Sequence, residues 1–249
     1  MKILIKNLKL YTILGLVAIS LFAACSKDEY YVDGGLANPK YDGTMLDYFD
    51  DKPRQFDTIA QIIRLAGMEE QFKTAEMTFF APSDNAIRRL IGSYTNGGLN
   101  RTLFDLNLDT IVDLSDVRPE IWKFYLDRLI FSGKHLLADY PQIDFDLQNV
   151  YPGQNYISAA NTIANIGVVF NDARSADGQS VLKYLGYRQI NFTPFYNNST
   201  LVNGGNAIKV SSSDIQPTNG VIHVLNYTMH SQFSSLNYEI LEQIIASRR

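Results

Sequence analysis

The sequence is poor in cysteine and histidine, the residues that form disulfides or bind metal ions. Its 249 residues include a single cysteine, Cys25, so no disulfide can join two parts of the chain. The three histidines, His135, His223 and His230, lack the spacing of zinc ligands and have no cysteine beside them. We therefore expect no metal site and no cofactor, and a fold that depends on an ordinary apolar core.

Basic residues are also too few to form a surface for nucleic acid. The net charge is -4, and no stripe of lysine and arginine runs along the chain. The sequence contains no nucleophile elbow, phosphate-binding loop or calcium-binding loop. These absences exclude nucleic acid as an expected partner and favour a protein that is not an enzyme.

The first 25 residues have the three-part pattern of an export signal. Three lysines come first, an apolar run at 10–22 follows, and two alanines precede Cys25. The run is shorter than the about 20 apolar residues of a membrane-spanning helix. The pattern resembles a bacterial lipoprotein signal, in which residues 1–24 are removed and Cys25 is lipidated. An ordinary signal peptide, or a membrane anchor with an incidental cysteine, is the alternative.

Residues 25–43 are predicted to be a lipidated N-terminus followed by a tether, because they contain glycine, proline and charges but no apolar period. Ser26-Lys27-Asp28-Glu29 resembles the acidic tag that sends some Bacteroidetes lipoproteins to the outer surface; the start of a solvated linker is the alternative. We therefore expect the membrane to be a partner through a palmitate-type lipid anchor. The expected location is the outer membrane, with the domain exposed at the cell surface.

The chain from residue 44 onwards has the composition of one globular domain. Hydrophobic residues make up 46% of the sequence and aromatic residues 12%, which is ample for a core. Apolar spacing predicts helices at 56–66, 84–91, 119–131 and 233–249. Strands are predicted at 78–81, 156–160, 166–171, 181–184, 207–211 and 221–228. With loops at 93–118 and 185–205, the predicted fold class is α+β.

Two segments give a resemblance to a known family. Residues 78–87 read TFFAPSDNAI, and residues 214–225 begin with Asp214-Ile215 and end in TNGVIHVL. In this order, near the two ends of residues 44–232, they resemble the two characteristic segments of fasciclin (FAS1) domains. The resemblance implies a fasciclin-like β-wedge with packed helices. Many fasciclin domains also carry a Tyr-His pair linked to adhesion, but Arg128 and Leu129 stand at those positions here.

The residues of the two segments are predicted to have structural roles. Proline removes a hydrogen-bond donor where the first strand ends, and an aspartate or serine after it can cap a helix. An Asn-Gly dipeptide favours a turn. The histidine is interpreted as a buried side chain that ties strand to loop, rather than as a metal ligand or catalytic group. The residues concerned are Phe80, Ala81, Pro82, Asp84, Asn219, Gly220 and His223.

Candidate binding residues lie in two places. Asp214-Ile215 matches a short element linked to integrin binding in animal relatives, and a turn aspartate before a core isoleucine is the alternative. Tyr187, Phe195 and Tyr196 lie beside an Asn-rich loop, near Tyr184 and Phe192. Aromatic rings with amide neighbours can stack on sugars, and they can equally pack in a core.

The sequence therefore predicts a cell-surface lipoprotein whose fasciclin domain mediates adhesion or another protein–protein interaction. The alternative is an accessory glycan-binding lipoprotein associated with an outer-membrane nutrient importer. In both hypotheses the protein binds and does not catalyse. Specificity is expected in the loops at 93–118 and 185–205, since binding residues concentrate on loops held by a rigid scaffold.

Overall fold

The computed structural model describes residues 38–95, 97–195, 202, 207–226 and 235–249, with side chains from residue 238 onwards in the last range. The predictions for the export signal, Cys25, residues 26–37 and Tyr196 lie outside this part of the chain. One structural unit extends from Pro39 to Arg249. Within the described ranges, no helix has both the length and the apolar character needed to span a membrane.

Helices and strands are mixed along the described chain. The helices are α1 (Met45–Asp51), α2 (Pro53–Leu65), α3 (Glu69–Thr74), α4 (Asp84–Ile91), α5 (Leu99–Asp105), α6 (Pro119–Asp127) and α7 (Ser235–Arg248). The strands are β1 (Met77–Pro82), β2 (Ile130–Ser132), β3 (Gln154–Ile157), β4 (Ile163–Phe170), β5 (Ala173–Arg174), β6 (Val181–Leu182), β7 (Arg188–Pro194), β8 (Ile208–Ile215) and β9 (Gly220–Asn226). Short 3₁₀ turns occur at Leu114–Asp116 and Leu137–Asp139.

One sheet of seven strands organises the domain, in the order β2-β1-β9-β8-β7-β4-β3. Strands β1 and β9 are parallel. The other neighbouring strands of this sheet are antiparallel, and β5 pairs with β6 in a separate hairpin. The predicted α+β class is confirmed.

Strand β1 is buried on both faces and joins two groups of aromatic side chains. Phe79 packs edge-on against Phe72 of α3, with ring centroids 5.0 Å apart. Phe80 stacks on Phe192 of β7, with centroids 4.8 Å apart. Successive side chains of a strand point to opposite faces. One face of β1 therefore packs on helix α3, and the other packs on strand β7.

Helix ends follow the local sequence signals. Helices α2 and α6 both begin with a proline, Pro53 and Pro119, at a position where the missing N–H has no helical partner. Helix α4 ends at Gly92, whose φ of 63° is accessible to glycine without strain. The predicted start and stop of α4 are confirmed.

Three predictions of elements were wrong. The predicted loop at 93–118 contains helix α5, which buries Leu103. The helix predicted at 119–131 ends at Asp127, and Ile130 and Phe131 belong to strand β2. The predicted loop at 185–205 contains strand β7, which buries Ile190 and Phe192.

The segment 39–43, predicted as the end of the tether, is hydrogen-bonded to the domain. Gln216 donates its N–H to the Pro39 carbonyl at 2.7 Å, and Tyr41 donates its N–H to the Gln216 carbonyl at 2.9 Å. Thr218 donates its N–H to the Gly43 carbonyl at 2.9 Å. Ordered chain therefore begins before residue 44.

The C-terminal helix α7 is attached to the domain by apolar and polar contacts. Ile240 and Ile244 are buried, and Arg118 donates from Nη2 to the Ser247 carbonyl at 3.1 Å. Glu239 forms an ion pair with Arg128, which directly follows α6 and is 2% exposed. Helix α7 is therefore part of the domain.

Candidate functional site

The two segments that carry the family resemblance lie side by side in the sheet. Strands β1 and β9 pair in parallel from Met77 opposite Gly220 to Pro82 opposite Leu225. Segments more than a hundred positions apart in sequence thus form the centre of the fold, flanked by β2 and β8.

In the first segment, Asp84 joins two helices. Phe80, Ala81 and Pro82 are buried in β1. Asp84, at the first position of α4, accepts the N–H of Thr58 in α2 at 2.9 Å through Oδ1. Asp84 therefore bonds across to a neighbouring helix, and Ser83 is the capping position of α4.

The second segment begins with an asparagine that joins three parts of the domain. Asn219 Oδ1 accepts the N–H of Met45 at 2.8 Å, at the start of α1. Its Nδ2 donates to the carbonyls of Phe72 and Ala75, at 3.0 and 3.2 Å. At the next residue, a Cβ would lie 2.2 Å from the Met77 carbonyl oxygen, so only Gly220 fits against β1.

His223 is fully buried and hydrogen-bonded through both ring nitrogens. Nδ1 accepts the N–H of Asp214 at 3.3 Å, which places the ring proton on Nε2. Nε2 then donates to the His135 carbonyl at 2.9 Å. Burial lowers the pKa of His223 to about 4. A neutral ring that bonds β9 to two other segments has a structural role.

The pKa of His223 predicts a loss of stability in acid. The ordinary pKa is 6.5 and the folded value is about 4, so between these values the unfolded chain binds a proton that the folded chain does not. Stability therefore falls as pH falls from 7 to 4, by about 3 kcal/mol from this residue. Urea titrations at pH 7 and pH 4 measure the change.

The variant His223→Gln is the comparison for this prediction. Glutamine cannot titrate and keeps a donor for the His135 carbonyl. We expect the variant to be less stable at pH 7 but to lose about 3 kcal/mol less than the wild type between pH 7 and pH 4. Equal losses in the two proteins would show that His223 does not titrate as described.

Asp214 and Ile215 lie at the end of β8. Asp214 has a φ of 62°, and its Oδ1 accepts the N–H of Leu137 at 2.7 Å. Burial raises the pKa of the Asp214 carboxyl. Ile215 is partly buried and packs against the core. The carboxylate is thus engaged in holding the 135–139 loop.

The described aromatic residues of the proposed sugar platform differ in exposure. Phe192 lies in the core against Phe80, and Phe195 is buried, with its carbonyl accepting from Arg128 Nη2 at 2.7 Å. Tyr187 is 66% exposed. Phe192 in β7 and Phe195 directly after it are thus both buried, which agrees with the alternative of packing in a core for these two rings.

A second feature is a largely exposed segment at 171–188 that contains strands β5 and β6, with β6 at the start of the strand predicted at 181–184. We call it the braced hairpin. Asp172 Oδ2 lies 2.9 Å from Lys183 Nζ, and its Oδ1 accepts the N–H of Tyr184 at 3.0 Å. The Tyr184 hydroxyl donates to Asp144 Oδ2 at 2.7 Å, outside the hairpin. This bond raises the pKa of Tyr184 to about 12 and lowers the pKa of Asp144.

Arg188 closes the base of the braced hairpin. Its guanidinium lies 3.6 Å from the centre of the Phe170 ring. Nη1 donates to the carbonyls of Tyr184 and Gly186, both at 2.9 Å. The Gly186 N–H donates to the Asn171 carbonyl at 2.7 Å. Both ends of the hairpin are therefore fixed to the sheet.

The braced hairpin presents apolar side chains to solvent. Val181, Leu182, Leu185 and Tyr187 are between 39% and 69% exposed. A second set of exposed apolar residues lies on the insertion that carries α5, where the rings of Tyr94 and Phe104 are 5.7 Å apart. Across the described ranges, no three or more histidine, cysteine, aspartate or glutamate side chains are grouped to hold a metal ion.

Comparison with known proteins adds a similarity at the level of structure. No protein-family model and no curated protein matches the chain. Among solved structures, a FAS1 domain pair from the insect cell adhesion molecule fasciclin I matches at 16% sequence identity with a TM-score of 0.38. The match covers 75% of this chain and 50% of that structure, so this chain spans about half its length.

Proposed function

We propose that this protein is a lipid-anchored fasciclin-like binding protein that contacts a protein partner at the cell surface. Fasciclin-like character is supported by the two sequence segments and by their pairing in β1 and β9. The lipoprotein and surface assignments are supported by the sequence before residue 30, with Cys25 as the acylated residue.

The apolar surface of the braced hairpin carries the proposal of a protein partner. Large apolar side chains grouped on an exposed segment are typical of interaction sites. Leu185 and Tyr187 are more than 60% exposed, while the backbone around them is fixed by Asp172, Tyr184 and Arg188. A segment that is already ordered loses less conformational entropy when a partner binds.

The alternative, an accessory glycan-binding lipoprotein beside an outer-membrane nutrient importer, loses the support of an aromatic platform. Of the five aromatic residues from which it was predicted, Phe192 and Phe195 lie in the core. A polar cleft on another part of the domain offers a separate site for a glycan ligand.

The proposal is tested by attachment of whole cells to a second cell layer. Cells carrying the full chain are compared with cells carrying V181S/L185S/Y187S. The layer is untreated, digested with protease, or oxidised with periodate to destroy glycans. We expect attachment of the wild type to survive periodate and to disappear after protease, and the triple variant to attach at background level.

The matched control changes three similarly exposed side chains on the insertion, Y94S/F104S/V112S. This variant should attach like the wild type. Loss of attachment only in the control variant, attachment that resists protease, or no attachment of the wild type would each overturn the proposal. Incorporation of labelled palmitate, lost in Cys25→Ser, and cleavage by protease added to intact cells test the anchor and its location.

A further inference from the structure

A polar cleft opens where the two central strands end. It has a volume of about 750 Å³, within the range of about 300–1,000 Å³ that is usual for small-ligand sites. Parallel strands end at the same edge of a sheet, so the residues after β1 and the end of β9 both line the cleft. The start of α2 and part of β8 complete it. The cleft is separate in sequence from the braced hairpin.

Two arginines give the cleft its charge. Arg54, near the start of α2, and Arg89, in α4, both line it. The acidic residue of the lining is Asp84, whose Oδ1 already accepts the N–H of Thr58. The lining therefore has a formal excess of one positive charge in a chain whose net charge is -4. Guanidinium groups suit carboxylate oxygens, which they can bind with two parallel hydrogen bonds.

The rest of the lining is rich in hydroxyl and amide groups. Asn85 and Asn226 offer both donors and acceptors, and Ser211 and Ser212 add hydroxyls from β8. Asn85 Oδ1 already accepts a hydrogen bond from Arg88 Nη1 at 3.2 Å. We therefore expect Asn85 to contact a ligand through the N–H groups of its amide. A ligand that carries several hydroxyls can form hydrogen bonds with this lining.

Tyr48 supplies an aromatic ring to the partly exposed apolar lining, which also includes Ile215 and Val224. Tyr48 is half-buried beside Phe56, with ring centroids 6.0 Å apart. Burial raises the pKa of Tyr48, so the phenol remains protonated at neutral pH. A neutral ring can lie against the apolar face of a sugar while its hydroxyl donates a hydrogen bond.

We propose that this cleft binds an acidic sugar, a glycan unit that carries a carboxylate. The carboxylate lies between Arg54 and Arg89, the sugar hydroxyls bond to the serine and amide side chains, and the ring lies beside Tyr48. A peptide fits less well, because β9 has β1 on one side and β8 on the other and offers no free edge for strand addition.

The proposal is tested by measuring how defined sugars bind to the purified protein. The protein used is the full chain without the predicted signal. The probes are oligosaccharides of galacturonate, of glucuronate and of N-acetylneuraminate, each beside its neutral methyl ester, and an acidic peptide of equal charge. Binding is measured by calorimetry and by shifts of backbone amide signals. We expect at least one acid to bind and to shift residues 83–85, and its ester to bind about tenfold more weakly.

Charge variants locate the site. Arg54→Gln and Arg89→Gln should each weaken binding of the acid by about tenfold, while Arg101→Gln, the same change on α5, should leave it unchanged. Thermal unfolding confirms that each variant is folded. No binding by any acid, equal binding of acid and ester, stronger binding of the peptide, or equal effects of the three variants would overturn the proposal. None of these results bears on the braced hairpin.

Discussion

Replacing Arg128 by leucine is expected to destabilise the domain by about 3 kcal/mol, because the change leaves the partly buried Glu239 carboxylate without its cation. Arg128 is 2% exposed and forms an ion pair with Glu239 of α7. Burial raises the pKa of Glu239, and Arg128 opposes this shift. The free energy of unfolding from urea titration at pH 7 measures the effect.

Arg128 also satisfies groups beyond the ion pair. Nη2 donates to the Phe195 carbonyl at 2.7 Å, and Nε donates to Thr162 Oγ1 at 3.4 Å. One side chain therefore connects α6 to the end of β7, to the β3–β4 turn and to the C-terminal helix. Arg128 therefore joins these elements through one ion pair and two hydrogen bonds.

Two further variants distinguish the effect of breaking the Arg128–Glu239 ion pair from the effect of losing any arginine. The double variant R128L/E239L should recover part of the lost stability, since an apolar pair of similar volume replaces the lone carboxylate. Arg101→Leu removes an arginine from an exposed pair with Asp105 and should cost less than about 1 kcal/mol. Equal losses in Arg128→Leu and Arg101→Leu would contradict the internal role of Arg128.

Replacing Asn219 by alanine is expected to cost about 3 kcal/mol or more. The change removes three hydrogen bonds and leaves the Met45 N–H and the carbonyls of Phe72 and Ala75 without this partner. Each buried group left unpaired costs about 1–3 kcal/mol. Denaturant titration gives the total, and hydrogen exchange of the Met45 amide reports the local loss.

The control for Asn219 is Asn226→Ala. Asn219 directly precedes β9, and Asn226 is the exposed last residue of that strand. Its effect should lie within about 0.5 kcal/mol of zero, as for most surface changes. A small effect of Asn219→Ala, with the Met45 amide still protected from exchange, would contradict the role of Asn219 in holding the start of α1.

The central strands were predictable because their sequence signals are local. The run TFFAPSDNAI contains an apolar strand, a proline at its end and a helix start, and β1 and α4 follow this order. The parallel pairing with β9 was not readable from either segment alone. It follows from contacts between segments distant in sequence, which local periodicity does not report.

The wrong predictions have physical causes. Leu129 and Ile130 continue the apolar spacing of α6, so the helix seemed longer, but Leu129 donates its N–H to the Leu126 carbonyl and the chain then enters β2. Strand β7 was missed because Asn191 and Thr193 gave it a polar pattern. Both side chains are nevertheless buried, in a strand that lies inside the sheet between β8 and β4. The contact that braces the hairpin was not predicted, because Asp144 and Tyr184 are forty positions apart in sequence.

The pairing of residues 39–43 with 216–218 decides how a mechanical load would enter the domain. A pull on the chain ahead of Pro39 reaches Gln216 and Thr218 before it reaches α1, through the hydrogen bonds at Pro39, Tyr41 and Gly43. The loaded segment leads directly into β9, in the interior of the sheet. Tension would thus be carried as shear along paired backbone and spread to the central strands.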